Sequence, residues 1–149
     1  MKFAIASDHA GFEYKSLLIK HLRGMGYDVR DFGTYSDEST DYPDWIRPAA
    51  LAVARGDADQ GIVLGGSGNG EAMVANRIPG IRCAVCWSEE TAALASAHNN
   101  ANMISLGQRL ISPAMAITIV DTWLATPFEN ARHTQRIEKI DAPQVDDPT

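Results

Sequence analysis

Glu71 directly follows Gly65-Gly66-Ser67-Gly68-Asn69-Gly70, a run with four glycines in six residues. Glycines leave the backbone N–H groups of such a loop bare, and a helical pattern follows at once, so the segment can form an anion-binding nest at a positive helix end. Proton removal next to a carbonyl needs a carboxylate beside such a nest: one group takes the proton while the other holds the oxyanion that forms. Each part also has a plainer use. The glycines serve a tight strand–helix turn, and an acid in a first helical turn complements the dipole. Ser67 can pass a hydroxyl proton or bond its own backbone. The run is neither of the common nucleotide loops. G-x-G-x-x-G counted from Gly66 would need glycine at position 71, and a Walker loop would need lysine there, where the chain has Glu71. No cofactor is expected.

Other candidates are more scattered. Asp8-His9 follows the apolar run Lys2–Ser7, where Asp8 can contact a ligand or cap the next helix. Tyr42 lies in a polar loop over 33–44 and suits packing or substrate contact. Arg132 and Arg136, four apart, share a helix face beside His133, and two guanidinium forks on one face suit a phosphate. The same spacing suits a solvated basic face paired with Glu129 and Glu138. Arg109, just past the fifth strand, can be a third phosphate ligand. His98 ends a helix and precedes a strand, which places it at the amino edge of the sheet, opposite Glu71. It either caps its helix or serves a partner subunit's site. His21 reads as structural, and the four histidines show no H-E-x-x-H spacing, so no metal is expected. Cys83 and Cys86 stand three apart in a strand-like run, on opposite faces, as two small buried hydrophobes.

The elements that must position these residues alternate. Strands are expected over 2–7, 27–32, 60–64, 82–87 and 103–107. Helices fall between them: a pattern of Tyr14, Leu17, Leu18, Leu22 and Met25, then 45–55, a short helix to about Arg77, 89–98, one opened by Ser112-Pro113, and a last segment from Pro127 to Ile140. This predicts a single-domain α/β protein: a Rossmann-like three-layer sandwich on a five-stranded parallel sheet, with a C-terminal helical extension. The domain spans 1–141, and the Pro- and Asp-rich 142–149 reads as a disordered tail. Ligands of such sheets bind at the carboxyl ends of the strands, where Asp8–Gly11, 33–44 and Gly65–Glu71 all stand.

Composition narrows the partners. With 149 residues, 13 Lys+Arg against 19 Asp+Glu, and a net charge of −6, the chain is acidic, which argues against nucleic acid or an anionic membrane as partner. Hydrophobic residues at 45% over this length support a core without disulfides. The first apolar run is too short for a signal peptide, and none approaches the roughly 20 residues of a membrane span. A cytoplasmic location is expected.

Ser7-Asp8-His9-Ala10-Gly11-Phe12, Thr40-Asp41-Tyr42-Pro43, the glycine run with Glu71, His98-Asn99-Asn100-Ala101-Asn102 and Arg132-His133-x-x-Arg136 together resemble the sugar-phosphate isomerase family that holds type B ribose-5-phosphate isomerases and galactose-6-phosphate isomerase subunits. The resemblance covers about Met1 to Ile140. It implies a metal-independent aldose–ketose isomerase whose active site lies at a homodimer interface, with tetramers as a further possibility. It implies Glu71 as the base between C2 and C1 and Ser67 as an aid to transfer between O1 and O2. The amides from Gly66 through Gly68 and Asn69 to Gly70 would hold the enediolate, and His98 would protonate the ring oxygen. Asp8 and Asn99 would contact sugar oxygens, and His9, Arg109, Arg132 and Arg136 the phosphate. One departure stands out: many members carry a catalytic cysteine where this chain has Gly65, so the chain resembles the subgroup with glutamate at position 71. Isomerases of four- or six-carbon sugar phosphates (erythrulose 4-phosphate, allose 6-phosphate, galactose 6-phosphate) and a non-catalytic sugar-phosphate-binding module are the alternatives.

Overall fold

A computed structural model describes residues 1–143. Five strands, β1 (Lys2–Ser7), β2 (Asp28–Asp31), β3 (Gln60–Gly65), β4 (Cys83–Val85) and β5 (Met103–Gly107), form one sheet in the order β2-β1-β3-β5-β4. Every pairing is parallel, and Ile5, Ile62 and Ile104 stand side by side across the middle. Among the described residues there are six α-helices: α1 (Phe12–Gly24), α2 (Tyr42–Ala54), α3 (Asn69–Asn76), α4 (Glu89–Ala97), α5 (Pro113–Ala125) and α6 (Arg132–Asp141).

The three inner strands β1, β3 and β5 are largely apolar because both faces are covered, whereas the edge strand β2 keeps only Val29 buried. On one face Phe3, Ile5, Leu64 and Leu106 pack with Leu18 and Leu22 of α1, Ala92 and Ala95 of α4, and Val120 and Trp123 of α5. On the other, Ala4, Ala6, Val63 and Met103 pack with Ile46, Ala49 and Ala50 of α2 and Ala72 and Ala75 of α3. Small residues on that second face let α2 and α3 lie close to the sheet. Cys83 belongs to the second core and Cys86 to the first, so the pair straddles the sheet as its spacing predicts. Burial pushes both thiols well up, away from thiolate formation.

The helix starts follow local chemistry. Ser88 caps α4 in a reciprocal capping box with Thr91, and Ser112 Oγ accepts from the Met115 N–H, with Pro113 in the first turn of α5. Three bounds depart from expectation. The loop predicted over 33–44 ends sooner, because α2 begins at Tyr42 and takes Pro43 into its first turn. β4 is shorter than 82–87, since the Arg82 N–H is taken by the Asn102 side chain at 2.8 Å rather than by a strand. The last helix starts only at Arg132: Asn130 and Ala131 have φ of 52° and 50°, a left-handed pair no helix accommodates. The tail expected over 142–149 begins with two exposed non-helical residues, Ala142 and Pro143, and from 144 onward lies outside the described residues. No described helix is long and apolar enough to cross a membrane.

Candidate functional site

After β1 the chain runs to β2 on one side and later to β3 on the other, so the β1 and β3 ends form the switch point where such sheets bind ligands. Asp8 ends β1, and the glycine run with Glu71 ends β3. Asp8 is buried, and its Oδ1 accepts from the Ala10 and Gly11 N–H groups at 2.9 and 3.2 Å, so the capping role is filled. At the other strand end, α3 begins at Asn69, which puts Glu71 in its first turn, 4% exposed.

The glycines are required by contact as much as by conformation. Gly68 has φ +84°, a left-handed turn that would strain any side chain. The Glu71 carboxylate fills the space that a Cβ on Gly65 would need. Tyr42 lies over Gly70, its Oη 2.7 Å from where a Cβ would stand, and Arg109 Nη1 is 3.0 Å from the corresponding point on Gly66. Arg109 also donates its N–H to the Gly66 carbonyl at 3.1 Å. The amides of Gly66, Ser67 and Gly68 reach no backbone acceptor among the described residues, as a nest requires. The Asn69 amide is spent on Ser67 Oγ at 3.2 Å, the turn bond the plainer reading foresaw, and that hydroxyl keeps its own proton to donate.

Two further features tune this edge. Burial raises the Glu71 pKa, its own backbone N–H pulls it down, and the nearby Asp8 charge pushes it up again; the balance is upward. His9 Nδ1 accepts from the Thr40 N–H at 3.2 Å, so the neutral ring carries its proton on Nε2. Thr40 is itself held by Trp45, whose Nε1–H donates to Thr40 Oγ1 at 2.9 Å. In the sequence Thr40 figures only within the Thr40–Pro43 motif and Trp45 only as the start of a helix, because nothing in an isolated Thr or Trp signals a histidine 31 positions away.

The other candidates gather at the opposite, amino edge. His98 follows α4, and its ring stacks on that of His133, centroids 4.4 Å apart. Glu129, expected to pair with the arginines, instead places Oε2 at 3.7 Å from His98 Nε2 and 3.6 Å from His133 Nε2. Its N–H donates to the Ala97 carbonyl, which ties the segment before α6 to the end of α4. Desolvation, then the His98, Arg132 and Arg136 charges, lower the His133 pKa against the opposing pull of Glu129. Arg132 and Arg136 are exposed on α6, and Asn99 is exposed after His98. Arg82 knits this edge together: Nε donates to the Asn99 carbonyl at 3.1 Å, Nη2 to the Asn100 carbonyl at 2.9 Å, and Nη1 to Asp141 Oδ2 at 2.7 Å. His21 pairs with Asp121 at 2.6 Å between α1 and α5, the structural role expected of it.

One chain thus presents its candidate residues in two groups on opposite edges. Asp8, His9, Tyr42, the glycine run, Glu71 and Arg109 stand together, and His98, Asn99, Arg132 and Arg136 stand apart from them. A parallel sandwich with a buried acid near free backbone amides at its switch point carries the groups that proton transfer between neighbouring carbons requires, which is the work of an isomerase. A family model described as Ribose/Galactose Isomerase matches residues 3–140. The chain belongs to that family. It is 47% identical over 140 residues to ribose-5-phosphate isomerase B of Mycolicibacterium paratuberculosis, covering 93% of this chain and 88% of the relative. A crystal structure of a Thermotoga maritima ribose 5-phosphate isomerase superposes with TM-score 0.91 at 50% identity, over 94% of this chain and 97% of the other. Ribose-5-phosphate isomerase B of Mycoplasma genitalium, solved with bound ribulose-5-phosphate, superposes with TM-score 0.90 at 41% identity, over 94% and 93%.

Proposed function

We propose that this chain interconverts ribose 5-phosphate and ribulose 5-phosphate through an enediolate, without a cofactor, with Glu71 as the base. The observation that carries the chemistry is the buried Glu71 carboxylate packed on Gly65 beside the amides of residues 66–68. Glu71 takes the proton from C2 of the open-chain aldose, the electron pair moves onto O1, and the nest amides stabilise the charge. The same carboxyl returns the proton to C1, while Ser67 carries the hydroxyl proton between O1 and O2. Asp8 stands by to orient sugar hydroxyls.

The two groups of candidate residues support a two-fold pair of chains, because an isologous interface can bring one copy's amino edge to the other's carboxyl edge. In that arrangement His98 and Asn99 of the second copy meet the ring oxygen and hydroxyls of the sugar. Arg132 and Arg136 of the second copy join His9 and Arg109 of the first around the phosphate, where guanidinium forks and a ring N–H are suitable donors. Proton NMR in deuterated water over a panel of four-, five- and six-carbon aldose phosphates tests the reading. Solvent deuterium should appear at C1 or C2 fastest for the five-carbon pair. Faster exchange in another chain length, or none in any, overturns it.

A further inference from the structure

His98, Glu129 and His133 come from the end of α4, the loop before α6 and the first turn of α6, and their ligand atoms all lie within 4.8 Å of one another. We propose that this cluster binds a divalent transition-metal ion, with Zn²⁺ the best match, through the two Nε2 atoms and the Glu129 carboxylate. A tetrahedral ion with arms of roughly 2.1 Å needs its ligand atoms about 3.4 Å apart. The two imidazole–carboxylate separations here are 3.7 and 3.6 Å, a few tenths of an ångström from that value before any ion is present. Both are also too long for hydrogen bonds, so neither ring nitrogen is committed to the carboxylate. Two imidazoles and one carboxylate are the donor set of a zinc site with one open position, and imidazole ligands disfavour Mg²⁺ and Ca²⁺.

Two features oppose the ion and set its class. The rings stack within 17° of parallel, so they must splay for both lone pairs to converge. Arg132 and Arg136 add positive charge next to His133, which only a tightly ligating borderline ion can overcome. The ion is an inhibitor in this scheme and not a cofactor: it occupies Nε2 of His98, so that atom carries no proton to give the ring oxygen of the sugar. That consequence rests on the proposed function, whereas the binding itself does not.

The test uses tag-free, chelator-treated full-length protein. Calorimetric titration with ZnCl₂ should give about one ion per chain at micromolar or lower dissociation constant, and CoCl₂ should give visible tetrahedral absorption bands. MgCl₂ should give neither. Glu129→Gln, at an exposed position that leaves the fold in place, should weaken zinc at least about tenfold, and His133→Ala should abolish the cobalt bands. A Cys83→Ser/Cys86→Ser chain should bind as the parent does. Lack of zinc binding at millimolar ion, or binding that Glu129→Gln leaves unchanged, overturns the proposal. Because no sugar is present, its failure is distinguishable from failure of the isomerase reading, which the deuterium exchange decides.

Discussion

Glu71 is held in conflict: burial and Asp8 favour its protonated form, while its proposed role as base requires the ionised one. The folded chain therefore binds this proton more tightly than the unfolded chain does. Stability from this group is full in acid and is lost as pH climbs from the ordinary carboxyl range through the raised native value. Glu71→Gln removes that loss. The variant should melt above the parent at neutral pH, with the gap closing in acid, and turnover should fall by about 10²–10⁴ while substrate still binds. An equal or lower neutral melting temperature contradicts the assigned balance. Gly65→Ala tests the packing of the base. Its methyl needs the space that the carboxylate fills, so kcat should drop by about 10²-fold through displaced geometry with the fold intact. Full activity in that variant would show that the carboxylate works from another position.

At the scale of elements, α6 is polar and buries only His133, so it depends on tethers more than on a core face. Arg82 is the main tether. Arg82→Ala should speed amide exchange over 132–141 by about tenfold, or about 1.4 kcal/mol, and should raise KM more than it lowers kcat. Unchanged exchange there would assign the anchoring to the Glu129–Ala97 bond instead. This element also marks the limit of what the sequence discloses. Strands β1 and β5 and the glycine nest were readable because apolar runs, glycine and a following acid act over a few residues. The start of α6 was not, because Asn130 and Ala131 adopt positive φ without the glycine that usually signals it. The His98–His133 stack joins residues 35 apart in sequence through two helix ends, and no periodicity reports such a meeting. The same is true of Glu129, which one of the two readings of the Arg132–Arg136 spacing paired with the arginines.

For the whole molecule, the decisive feature is the separation of the two groups of candidate residues across the sheet. Under the proposed mechanism, a chain lacking Glu71 and a chain lacking His98 should each be nearly inactive alone. In a mixed pair with shared sites, one of the two sites recovers both intact edges. Co-refolded Glu71→Gln and His98→Ala chains should regain up to about a quarter of parental activity under random pairing, since half of the pairs are mixed and each has one good site. Verified mixed pairs with no recovery would place both groups in one chain's site.

The interlock of Gly65 with Glu71 also bears on descent. A side chain at 65 and the carboxylate of Glu71 compete for one space, so a change at either position alters what the other can hold. Lineages should therefore inherit them as a pair, and a survey that scored either column alone would mistake coupled exchange for independent drift.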